Sequence, residues 1–432
     1  MSVDGKDTMT AGAEDADEAL PGDLRMARAL WPVLLASAVG LLPFTIFSTY
    51  LVPIAREAGS GVAAMGGLRG LGGLAALLVG TALAPLIDRV RKEWAAAGAL
   101  VALGASAALG ASGDFLLVAV FCLLIGASTA VLNPALTAAA ADRFGEGKAA
   151  GRAATLVTAT QSMTAMLAAP VVALPALFWG WKGDLVAVTA VSLLLALVFV
   201  AHGRGERGAK EERQADGRRL SYLATFKALA GRRGAVPLLL VSLLRTAVFM
   251  GYLSYLAAFY DDRFRLDPGL FAFVWTLSGA AYFVSNLLTG RITNAARPRF
   301  STERVLAAGL VAALLSVVGF YVTHWLPLAL ALTALHAASH AVVAACAVSL
   351  LVRRCGPLRG SALSLNAAGQ SLGVFVGAAV GGAGLGLAGY PGIALVFGTL
   401  VLLALMAAAL VLRAGPADGE SVGESAGEGA GR

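Results

Sequence analysis

Charge is scarce in this chain: Asp, Glu, Lys and Arg together make up only 14% of its 432 residues. With 58% of residues hydrophobic and Ala, Leu, Val and Gly predominating, a soluble fold would carry far more apolar surface than it could bury. Cysteine is scarcer still. Cys122 and Cys346 fall inside apolar runs and Cys355 in a loop, without a repeated spacing, so neither a disulfide framework nor a metal cluster is indicated and all three read as packing residues. His336 and His340 form H-A-A-S-H, which lacks the glutamate of the zinc-binding H-E-x-x-H arrangement, and no third ligand is evident. The phosphate-cradling P-loop pattern is missing, which speaks against ATP as the driving force. No Asp or Glu lies in the middle of an apolar run, which removes the most obvious intramembrane proton carriers. Residues 1–23 are polar and acidic, the wrong charge for a signal peptide, so no cleaved leader is expected and the segment reads as a disordered tail.

What is abundant is long apolar runs. Twelve can be drawn, at 30–54, 62–87, 94–112, 115–141, 153–179, 184–201, 235–260, 268–290, 304–322, 325–351, 360–388 and 391–412, numbered here as spans 1 to 12. Crossing a hydrocarbon core of roughly 30 Å takes about 20 helical residues. The runs are too long and too free of alternation for strands of an outer-membrane barrel, so the expected class is all-α and polytopic.

The formal charge of +7 raises nucleic acid as a partner, but the placement of the basic residues points to the lipid bilayer instead. All of the 33 Lys and Arg except Arg56, Arg69, Lys182, Arg245, Arg263 and Arg265 fall in the termini or in the loops after spans 2, 4, 6, 8 and 10. Under the positive-inside rule both termini are therefore cytoplasmic, in a multi-pass protein of the cell membrane. Tyr50, Trp179, Trp181, Tyr260, Tyr321, Trp325 and Tyr390 at the outer span ends, with Trp31 and Trp94 at the inner ends, read as interfacial anchors.

Residues 202–234 form the longest charged stretch and divide the chain into halves at 24–201 and 235–412, followed by a polar tail at 413–432. This stretch reads as a cytoplasmic linker, with a short surface helix expected over 222–230. The halves echo one another. GRAATLVTATQS (151–162) aligns with GSALSLNAAGQS (360–371), matching Gly151 with Gly360, Leu156 with Leu365, Gln161 with Gln370 and Ser162 with Ser371. APLIDRVRKEW (84–94) aligns with GRITNAARPRF (290–300), pairing Asp88 with Asn294. Two halves of equal topology related by a parallel repeat place a site at their interface, near the midplane.

These residues resemble the major facilitator superfamily. Its signature after helix 2, approximately G-x-x-x-D-x-x-G-[RK]-[RK], is met by Asp88 and Lys92, with Ala84 and Arg91 at the glycine positions and Glu93 at the last. GWKGDL (180–185) is similar to the family's Gly-Trp-Arg junction between helices 5 and 6. Cys122, four residues before Gly126, stands where many proton-driven exporters of the family have an arginine. The resemblance implies twelve helices, no enzymatic activity, no cofactor and a cytoplasmic gate at Asp88, Arg89, Arg91, Lys92 and Asn294. In such a gate Asp88 would sit against the start of span 11, where a helix dipole favours an anion; an ordinary positive-inside loop is the other reading.

Within the spans, Arg245 lies about 15 Å deep and is expected to face a central cavity, with Tyr252 on the same helix face. Pairing to carbonyls or snorkelling is the alternative. His336 and His340 share a face and can titrate near neutrality, or can pack as hydrogen-bonded rings. Gln161, Asn366 and Gln370, with Thr45, Ser48 and Thr49 on span 1 and Ser278, Tyr282 and Ser285 on span 8, suit either a polar solute or helix–helix contacts. Arg69 reads as an outer-gate or interface residue. The expected function is secondary transport of a small organic solute by alternating access, with proton-coupled efflux as the first reading and proton-coupled uptake or uniport of a polar or anionic solute as the second. A membrane-embedded enzyme and a non-transporting sensor are more distant. The expected partners are the solute, protons and lipid; since one chain holds both halves, a monomer is expected to suffice.

Overall fold

The computed structural model describes residues 23–87, 90–144, 148–205, 227, 229–293 and 301–413. Ten helices among them are long and apolar enough to cross a membrane. One of these, Arg359–Arg413, turns back at Ala388 and Gly389 and supplies both span 11 and span 12. Helix Lys148–Gly205 likewise turns at Gly180 and supplies spans 5 and 6, completing the twelve. Gly180 (φ 63°) and Gly389 (φ 65°) are in the left-handed region that a side chain disfavours, so glycine permits each reversal without a loop. The structure is thus all-helical and polytopic.

Helix starts follow local chemistry. Asp114 Oδ1 accepts hydrogen bonds from the Leu116 and Leu117 amides at 2.9 and 3.0 Å, capping Phe115–Asp142 (span 4). Asp267 Oδ1 does the same for the Gly269 amide at 2.8 Å, opening Pro268–Thr293 (span 8). Span 1 is not one rod: it runs as Trp31–Val39, Leu42–Thr49 and Leu51–Glu57. Pro43 and Pro53 lack the amide hydrogens that would bond the carbonyls of Val39 and Thr49, which accounts for a break at each place.

Consecutive spans run antiparallel, so every connection lies either at the end that carries the linker or at the far end. Far-end connections are short: residues 58–61, 111–114, 265–267 and 323–325, with spans 5 and 6 and spans 11 and 12 joined directly. Spans 2 and 11 pack along each other, spans 5 and 8 do likewise, and span 7 meets spans 1 and 2, among the described contacts between halves. A Cβ on Gly73 of span 2 would stand 2.6 Å from the Ser371 carbonyl oxygen of span 11, so the absence of a side chain sets how closely the halves approach. Tyr255 of span 7 donates to the Ala378 carbonyl at 2.7 Å and lies 3.4 Å from that of Ala63 on span 2. These contacts run from the middle of the spans to the far end. Large apolar side chains cover the outside, with Leu387 89% and Phe178 83% exposed, as lipid contact requires.

Two expectations are corrected. Tyr260 and Tyr321 are fully buried rather than interfacial. They join Phe259, Phe264, Phe320 and Tyr390 in an aromatic cluster inside the second half, whose ring centroids lie 4.4 to 6.1 Å apart. Tyr50 and Trp181 are also buried, whereas Trp31, Trp94, Trp179 and Trp325 are exposed at span ends. Cys355 is the last residue of helix Leu326–Cys355, not a loop residue, and all three cysteines are buried and free.

Candidate functional site

Helix Ala235–Phe264 (span 7) carries Arg245 into the interior, where the residue is 5% exposed. Its Nη2 donates to Thr246 Oγ1 at 2.9 Å, while Nε and Nη1 are buried without an acceptor. The Asn366 Oδ1 on span 11 is likewise buried and unpartnered. Leaving a charged donor set unsatisfied away from water costs several kcal/mol, by about the scale of an uncompensated buried ion, unless another group completes it.

A second buried cation comes from the first half. Arg69, 7% exposed on span 2, donates through Nη1 to Ser48 Oγ at 2.6 Å, lies over the Phe44 ring at 5.5 Å and reaches Met250 Sδ of span 7 at 4.0 Å. It therefore touches the opposite half, as its reading as an interface residue expects. Its guanidinium also lies within electrostatic reach of Cys122 on span 4. Neither Arg69 nor Arg245 has a carboxylate within salt-bridge distance among the described residues. Arg354, by contrast, holds Glu303 at 2.8 Å. Each half thus buries one cation: Arg69 reaches Met250 of the other half, and Arg245 lies five residues before Met250 on span 7, a rise of about 7.5 Å.

The remaining predicted residues divide. Gln161 donates to Asn133 Oδ1 across spans 5 and 4 at 3.2 Å, both being half-buried. Gln370 is half-buried on span 11. Thr45 spends its hydroxyl on the Leu41 carbonyl of its own helix at 3.1 Å. Tyr252, His336 and His340 are enclosed within the second half, each at 0% exposure. The Tyr252 and Tyr260 hydroxyls share Thr333 Oγ1 at 2.8 and 2.9 Å. His336 Nδ1 lies 3.0 Å from Ser316 Oγ, and His340 stacks on Phe249 at 5.2 Å with both ring nitrogens unpartnered. His340 is within electrostatic reach of Arg245, so the cation and the histidines form one contiguous cluster.

Of the gate, Asp88, Arg89 and Asn294 lie outside the described residues. Arg91 immediately precedes helix Lys92–Gly110 (span 3), its Nε 3.7 Å from Glu93 Oε2. Sequence reasoning missed Asn133, which nothing but its pairing with Gln161 distinguishes, and Asp184, a carboxylate that is 4% exposed at the start of span 6.

Residues 33–301 and 264–431 match the profile of the Major Facilitator Superfamily. Among solved structures, the chain is similar to a bacterial homolog of the human lysosomal transporter Spinster in an inward-facing and unoccupied conformation, at TM-score 0.71 and 15% identity over 91% of this chain and 97% of that one. It is similar to the nucleoside transporter NupG at TM-score 0.67 and 13% identity, over 90% and 98%. The human organic anion transporter MFSD10 gives TM-score 0.57 and 20% identity, over 89% and 99%. Comparison with curated proteins gives no match.

Proposed function

The chain belongs to the Major Facilitator Superfamily and is a multi-pass membrane transporter, and on that premise we propose that it exports a small organic anion across the cell membrane in exchange for protons, by alternating access. The observation that carries this reading is the pair of buried guanidiniums, Arg69 and Arg245, one from each half and neither with a resident acid. An arginine near the bilayer centre costs about 2.5 to 3.5 kcal/mol on insertion scales unless it meets a partner or water. A solute carrying a carboxylate or phosphate supplies that partner, and Asn366, Gln161 and Gln370 supply neutral hydrogen bonds around it.

Orientation follows from the basic loops: linker end and both termini inside. Among the described residues, spans 2 and 11 and Tyr255 join the halves from the middle of the spans to the far end, which supports a transporter closed on the outside. Direction follows from charge. A membrane potential negative inside drives an anion outward by about 2.3 kcal/mol per charge per 100 mV and draws protons inward by the same amount, so the exchange runs downhill electrically for both.

The test uses proteoliposomes loaded with a pH-sensitive dye and offered acidic, sugar-like and cationic solutes under an imposed proton gradient. Acidic solutes are expected to move protons, and Arg245→Ala to reduce that movement at least tenfold while Arg245→Lys retains part of it. Normal anion transport by Arg245→Ala overturns the site; transport confined to cationic solutes overturns the substrate class.

A further inference from the structure

Past the turn at Gly180, residues Trp181, Asp184, Leu185 and Val188 form a buried stripe of span 6 that faces the interior of the first half. Three of these side chains are apolar or largely so; the fourth is a carboxylic acid. Asp184 is 4% exposed and both of its oxygens are buried without a donor. An ionised carboxylate in that position would have neither water nor hydrogen bond to hold its charge, whereas the neutral acid fits.

Among the described residues no cation lies within salt-bridge distance of it. Tyr50 of span 1 faces it within electrostatic reach. Lys182, two residues away, is engaged with Glu57 at the end of span 1, and the side chains of that pair are 44% and 40% exposed. Span 3, which packs along this helix, has no ionisable residue beyond Lys92 and Glu93 in its first turn, and Asp114 at the head of span 4 is exposed and caps its own helix.

Tyr50 is also where span 1 breaks: Thr49 ends one helix and Leu51 begins the next. Flanking that break, Thr49, Val52, Pro53 and Arg56 form one wall of a cavity of about 370 Å³, and Asp261 and Phe271 belong to the wall supplied by the second half. The break thus carries both Tyr50, which lies within electrostatic reach of Asp184, and residues that line the far mouth.

We propose that Asp184 is a proton-binding site whose occupancy controls the far mouth: the neutral acid stabilises the closed arrangement, and opening of span 1 at Tyr50 hydrates the carboxyl, which releases its proton to far-side water. The step is a single proton transfer between a carboxyl oxygen and water. Its sign is fixed: the closed state binds one proton more than the open state, so raising the pH on the far side favours opening, by at most tenfold per pH unit for one proton.

The experiment reads far-side access in Met250→Cys, beneath the closed contact, by its labelling rate with a membrane-impermeant maleimide on reconstituted protein, as a function of external pH and corrected for the reagent's own pH dependence on a fully exposed cysteine. The parent is expected to label faster as pH rises, Asp184→Asn to stay slow and flat, and Asp184→Glu to keep the dependence with a displaced midpoint. A flat parent, or Asp184→Asn with the parent's dependence, overturns the proposal. Gly73→Leu, which pushes the halves apart sterically, separates this failure from that of alternating access: if it accelerates labelling while pH does not, the proton site alone is wrong, and if neither moves the rate, the opening of a far mouth is wrong as well.

Discussion

The close approach of spans 2 and 11 offers a measure of how firmly the far side is shut. Gly73→Ala adds one methyl group where a Cβ meets the Ser371 oxygen at 2.6 Å and the Phe375 nitrogen and Val374 Cβ at 2.7 Å. Two of these three atoms are backbone, so no rotamer change relieves the overlap. Ordinary contact begins at 3.4 Å, and 3.4 minus 2.6 leaves the spans about 0.8 Å to move. Overpacking of this kind costs about 1 to 3 kcal/mol. The strain exists only while the far side is closed, so a value near 2 kcal/mol shifts the closed-to-open ratio roughly 30-fold. Labelling of Met250→Cys from the far side should accelerate by a factor of that order. Gly80→Ala in the same span, where the nearest atom to a Cβ is the Ala130 methyl at 3.9 Å, should change nothing. A folded Gly73→Ala protein that labels at the parent's rate refutes the claim that this contact closes one side of the pathway.

Two further substitutions probe the second half. Glu303→Gln leaves Arg354, whose side chain is 4% exposed, without its carboxylate; because Glu303 is itself 19% exposed the expected loss is about 2 to 4 kcal/mol, seen as a lower Tm in detergent. Thr333→Val removes the hydroxyl shared by Tyr252 and Tyr260, and should cost about 2 to 4 kcal/mol in the same assay, with Tyr252→Phe in the valine background recovering part of the loss.

The span layout was legible because length and hydropathy are one-dimensional properties, and each crossing needs about 20 apolar residues whatever packs against it. The joints at Gly180 and Gly389 were legible only as candidate boundaries: a positive φ at a glycine leaves no mark beyond the glycine itself. Which face of a span meets lipid was hidden, because lipid tails and neighbouring helices are equally apolar and the 3.6-residue period carries little contrast. Tyr260 and Tyr321 read as interfacial anchors for that reason, although they pack in an aromatic cluster. Arg245 stood out because a mid-span cation has few explanations. Asp184 did not, because an acid at the start of a span is ordinarily wet; only the fold reveals that span 1 covers it.

The far face, which is the outer face in the orientation proposed above, is built from connections of four residues or fewer and from two direct reversals. No loop there is long enough to fold over the mouth, so access is governed by the helices themselves. The same brevity leaves little for other molecules to hold: an antibody, a protease or a docking protein approaching from that side meets helix ends and short turns rather than a flexible epitope. Contacts with other proteins are therefore expected at the opposite face, where the described helices begin at Asp23 and end at Gly205 and Arg413.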